Sequence, residues 1–134
     1  MGAWGELAFD NDSANDWAYG LDEADDLALV EDALSDVESV GSGYLEVDAA
    51  SAALAACEVL ARLQGRPGYT NAYTAKVDRW VATHPQVVPR ALINRGSSAI
   101  DRILAQDSEL RELWEESDAD AWLAGVADLR SRLG

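Results

Sequence analysis

Three aspartates crowd the run "DNDSANDWAYGL" from Asp10 to Leu21. Carboxylates at alternate positions suit a calcium loop, which wants oxygen at its first, third and fifth places, glycine at the sixth and a bidentate glutamate at the twelfth. Asp10 and Asp12 fill the first and third places, but Ala14, Asn15 and Leu21 stand at the fifth, sixth and twelfth. The calcium-loop reading fails. A looser divalent site from Asp10, Asp12 and Asp16 survives it. With Glu109 or Glu112 those carboxylates make the alternative of a metal-dependent hydrolase.

Other catalytic constellations run short of material. The chain has one histidine, His84, and one cysteine, Cys57. Zinc sites built from several such ligands are therefore excluded, and a serine–histidine pair would have to use His84. "GSGYLE" at 41–46 lacks the lysine and the strand-to-helix setting of a phosphate loop. Cys57 sits among alanines and leucines with no basic neighbour to lower its pKa, so it reads as a small core residue. No catalytic residue, metal or cofactor is assigned, and the residue types favour binding over catalysis.

Charge layout suggests what would be bound. The net charge is −15, and the first lysine or arginine is Arg62, so every one of the 15 acids before it lacks a basic residue in the same stretch. After it, 10 acids balance 10 bases. An acidic front half repels nucleic acid and anionic membranes, and speeds association with a basic protein. Asp10, Asp12, Asp16, Asp25, Asp32 and Asp36 are the candidate recognition residues of such an interaction module, a size and charge that suit an immunity or antitoxin protein. The rival explanation is a solvated face. A further alternative is a small-ligand site walled by tryptophans between helices.

These residues need elements to hold them, and the hydrophobic period is helical nearly throughout. Leu27, Val30, Leu34 and Val37 recur at spacings of three and four, ended by glycines 41 and 43. The alanine-rich run between Asp48, a candidate N-cap, and Gly65 suits a central buried helix. Asn71 can cap a helix that ends near His84–Pro85. "VVPRALINRGSSAIDRILAQ" reads as one interrupted helix or two short ones, broken at Asn94–Gly96. Leu110, Leu113 and Trp114 share one face, Trp122, Val126, Leu129 and Leu133 another, with a break near Ser117–Asp118. Tyr44–Val47 is the one later stretch that reads as extended.

The opening is explained as packing and capping. Asp12 or Ser13 can cap a first helix, and Ser13 with Asp16 has capping-box spacing. Phe9 and Trp17 can clamp its entry, and Trp4, between small residues, can anchor the segment in the body. Trp4, Phe9, Trp17, Trp114 and Trp122 are the expected structural aromatics. The whole is an all-α chain: one helical domain over 1–134, with residues 1–11 as an irregular anchor and six or seven helices packed as a compact bundle. A hydrophobic content of 49% over 134 residues supports a real core despite the charge. No basic, apolar leader opens the sequence, and no apolar run approaches the roughly 18 residues of a membrane helix. With a lone cysteine, this points to a cytoplasmic protein.

"GAWG", "FDND", Ala14 and "DW" in the opening resemble the start of a bacterial family, domain of unknown function 4259. The similarity continues in order through "YLE" at 44–46, the alanine-rich run 49–61, "SELRELW" at 108–114, Trp122 and Leu129. That family usually has a glycine where this chain has Leu7. The resemblance implies a small bacterial helical domain and brings no established activity, substrate or catalytic residue with it.

Overall fold

The computed structural model describes Gly5 and residues 7–134. It is all-α. Among the described residues run seven helices: α1 (Asp12–Asp22), α2 (Ala28–Val40), α3 (Val47–Leu63), α4 (Ala75–Thr83), α5 (Arg90–Leu104), α6 (Glu109–Glu115) and α7 (Asp120–Leu133). None of them is long and apolar enough to cross a membrane.

α3 organises the rest. It packs against all six other helices, and 12 of its 17 residues are buried, so it is enclosed on every side. Its alanines make this possible, because a methyl lets a neighbouring backbone come close without leaving a void. α5 uses the same device from its own side. Gly96, the residue expected to break it, lies within one uninterrupted helix. A Cβ there would stand only 3.0 Å from Leu133 and 3.4 Å from Cys57 Sγ. Glycine at 96 marks a close helix approach rather than a stop. The stops at Gly41 and Gly65 are of the other kind, since both take positive φ, 59° and 78°.

Three caps differ from the sequence expectation; the one at α4 is Thr74, and Asn71 instead accepts the Tyr73 and Thr74 N–H groups of the turn before it. The N-cap of α1 is Asn11, one residue before Asp12, and its side chain accepts the Ala14 N–H at 2.8 Å. Ser13 is thereby free to donate its hydroxyl to Asp48 Oδ1 at 2.7 Å. Asp48 is not a cap either, because α3 begins at Val47. The Val47 N–H is capped from a distance by Glu109 Oε1, at 2.8 Å. That cap belongs to a short strap in which the Leu45 N–H donates to Asp107 O and the Glu109 N–H to Leu45 O. Tyr44 adds its hydroxyl to Glu112. The extended stretch at 44–47 is thus one isolated parallel bridge, Leu45 to Ser108.

The opening turn ahead of α1 is closed by Asp10, whose N–H donates to Leu7 O at 3.0 Å while its carboxylate accepts the Leu7 N–H at 3.2 Å. Leu7 does not take positive φ, so this turn requires no glycine at that position. Gly5 is constrained instead, since a Cβ there would collide with the Asp10 carboxylate.

Candidate functional site

A cavity of about 300 Å³ lies between the opening turn, α3, α6 and α7. Helical periodicity builds its walls. Val47, Ser51, Leu54 and Glu58 fall on one face of α3, and Trp122, Val126 and Leu129 on one face of α7. Trp114 of α6 completes the aromatic side, nearly parallel to Trp122 with ring centroids 6.2 Å apart. Leu7, Ala8 and Asp12 line the side nearest the opening turn.

The floor is ionic and closely paired. Glu58, buried at 2% exposure, accepts from Arg132 at 2.7 and 3.1 Å and has Arg62 at 3.4 Å. Arg62 reaches on to Asp78 at 2.7 Å and to the Tyr69 carbonyl at 2.7 Å. Arg132 also holds Asp128 at 2.8 Å. Burial opposes the Arg132 charge, but hydrogen bonding and attraction from Glu58, then Asp128, hold its pKa above the ordinary arginine value. The guanidinium groups of this floor are consequently occupied by carboxylates already in the chain.

Two residues that line the cavity have hydroxyls without a hydrogen-bond partner among the described residues. Ser51 is 3% exposed, lines the cavity and makes no side-chain hydrogen bond. Tyr69 Oη is buried and lies near the Phe9 backbone without reaching hydrogen-bond geometry. Burial, with the Glu58 charge, pushes the Tyr69 phenol well above its usual value, which keeps it a neutral hydroxyl. Leaving buried polar groups unpaired is costly unless something outside the chain satisfies them.

The six candidate recognition aspartates divide. Asp12 lines the cavity, exposed at the first turn of α1, and its carboxylate has no partner among the described residues. Asp10 is half-buried in the opening turn, and Asp16 is exposed further along α1. Asp25, Asp32 and Asp36 lie exposed before and along α2, which contributes nothing to the cavity among the described residues. No group of three or more histidine, cysteine or carboxylate side chains is placed to hold a metal ion among the described residues. Glu109 and Glu112 serve the strap described above.

Of the expected structural aromatics, Phe9 and Trp122 are buried and Trp17 and Trp114 half-buried, while Trp4 lies outside the described residues. Ser51, Glu58, Tyr69 and Arg132 were not singled out by sequence. The one available signal was Glu58 itself, a lone carboxylate inside an apolar run, four residues before Arg62.

Comparison with curated proteins and with solved structures finds no match. A family model, that of a domain of unknown function, DUF4259, matches residues 2–125 of the 134, and the chain belongs to that family.

Proposed function

We propose that this protein binds a small organic molecule in the cavity between the opening turn, α3, α6 and α7. The observation that carries the reading is that Ser51 and Tyr69, whose hydroxyls have no partner among the described residues, line one cavity walled by leucines, valines and two tryptophans. Ligand sites are typically apolar pockets with a few convergent polar groups that fix orientation. The closely paired floor of Glu58, Arg62 and Arg132 gives those groups a rigid base.

A fragment screen by protein-observed NMR tests this. Hits are expected to shift the amides of Asp48, Ser51 and Trp122 and to be lost in Trp114→Ala. A screen without hits, or hits confined to other helices, would overturn the reading.

A second reading rests on a separate observation. The carboxylates of Asp25, Asp32 and Asp36 are exposed and pair with no basic side chain among the described residues. We propose that this face attracts a basic protein partner. Capture at low and moderate salt, beside a variant with all three changed to Asn, tests it. The result against it is equal recovery by both proteins.

A further inference from the structure

We infer that the cavity takes a protonated primary amine carrying a compact apolar or aromatic body. This rests on the ligand-binding reading above and names the class of ligand.

Charge decides first. Among the described residues the cavity is lined by four carboxylates, Asp12, Asp48, Glu58 and Asp128, and one cation, Arg132. Glu58 and Asp128 share Arg132, so the floor has no cation to spare for an anionic ligand. Apart from Arg132, every charged lining residue among those described is acidic. Among the described residues Asp12 has no partner, and Asp48 receives only the Ser13 hydroxyl. The starts of α1 and α3, which would otherwise attract an anion, already carry these carboxylates in their first turns. An anion is excluded on both counts.

Donor count decides next. Asp48 and Ser51 stand three residues apart on one helical face, and the Ser13–Asp48 hydrogen bond draws the start of α1, with Asp12, to the same place. Those acceptors are two carboxylates and a hydroxyl with free lone pairs. A primary ammonium presents three N–H donors and no acceptor, which matches them. A hydroxyl ligand offers one donor and would leave the rest unanswered.

Shape gives the remainder of the ligand. A volume of about 300 Å³ holds roughly ten water-sized groups at about 30 Å³ each. Beyond the polar corner the walls are Leu54, Leu110, Val126, Leu129 and the two indoles, which suit a ring or a short branched chain. The half-buried Trp114 supplies a surface for stacking.

The test compares three probes of nearly equal size: 2-phenylethylamine, 2-phenylethanol and phenylacetate. Binding to the full chain is followed by NMR and calorimetry at pH 7. The amine is expected to bind about tenfold more tightly than the alcohol, the range charge-assisted contacts give, and phenylacetate not at all. Asp48→Asn and Ser51→Ala should each weaken the amine while leaving the alcohol within about twofold, and Asp12→Asn should act like Asp48→Asn. Should the alcohol or phenylacetate bind as well as the amine, with shifts on the same cavity residues, the amine class falls and the cavity reading stands. Absence of binding by any probe up to about 10 mM, with fragment hits on the cavity, likewise removes the class alone. Absence of both removes both.

Discussion

Arg132 Nη2 lies 2.7 Å from Glu58 Oε1 and Nη1 lies 3.1 Å from Oε2, a two-point pair joining the last turn of α7 to the middle of α3. The contact spans 74 residues of sequence. It fixes α7 against α3 and so sets the width of the cavity between them. It also limits what can be removed. Glu58 is the carboxylate through which both Arg62 and Arg132 are held.

Glu58→Ala should therefore destabilise the fold, by up to about 3–5 kcal/mol for a buried pair broken from one side, with Asp78 and Asp128 left to compensate Arg62 and Arg132 in part. Arg132→Met should cost less, because Arg62 remains beside Glu58 and the methionine stem keeps part of the packing. Urea unfolding of the two single variants and the double variant gives the coupling, expected at about 1–3 kcal/mol. A coupling near zero would mean that the pair does not tie α7 to α3.

The strap supplies a second expectation. Glu109 caps α3 across 62 residues of sequence through the Val47 N–H. Loss of a side-chain cap typically costs about 1 kcal/mol, so Glu109→Ala should lose that much in urea unfolding. Hydrogen exchange should speed up at Val47, whereas the α7 amides should be little changed. Unaltered protection at Val47 would assign the cap no weight.

The elements were legible in the sequence wherever periodicity and punctuation agreed. Leu27, Val30, Leu34 and Val37 predicted α2, and the break before α7 fell where expected. Caps were harder to place. Asn11, Asp12 and Ser13 are all good capping types, and their order does not say which adopts extended backbone; Asn11 does, with φ −157°. The cap on Val47 was invisible because its donor of charge, Glu109, is remote in sequence. Gly96 was misjudged for a related reason. A helical glycine reads as a stop unless the partner surface is known, and here that surface is Cys57, Leu60 and Leu133. The cavity lay furthest from view. Ser51 looks like one more small residue among alanines, and only the tertiary contacts of α1, α6 and α7 make its hydroxyl a lining group.

Gly96 yields a prediction with opposing terms. Alanine in a helix interior is favoured over glycine by about 0.8–1 kcal/mol. Against this stands the 3.0 Å approach to Leu133 Cδ2, on a side chain buried completely. Gly96→Ala should come out near neutral, and Gly96→Val should lose about 1–3 kcal/mol through overpacking. In a Leu133→Ala background the same Gly96→Ala change should turn stabilising by about 1 kcal/mol. Equal effects in both backgrounds would show that Leu133 is not what glycine at 96 accommodates.

Cys57 faces the same contact from α3. Burial, and then the adjacent Glu58 charge, push its thiol from 9.0 up to about 12. The folded chain therefore keeps this proton over a range in which the unfolded chain releases it. The contribution of the neutral thiol is complete below about pH 9 and should decline by about 1.4 kcal/mol per pH unit from there toward about pH 12. Urea midpoints at pH 8, 9.5 and 10.5 should fall more steeply for the native chain than for Cys57→Ala. Parallel slopes would show that the thiol titrates alike folded and unfolded. A thiol reagent at pH 8 gives an independent check, since the buried sulfur should label only through opening of the α3–α5 contact, at a rate that rises with urea. Fast labelling without denaturant would place Cys57 within reach of solvent and break the close packing at Gly96.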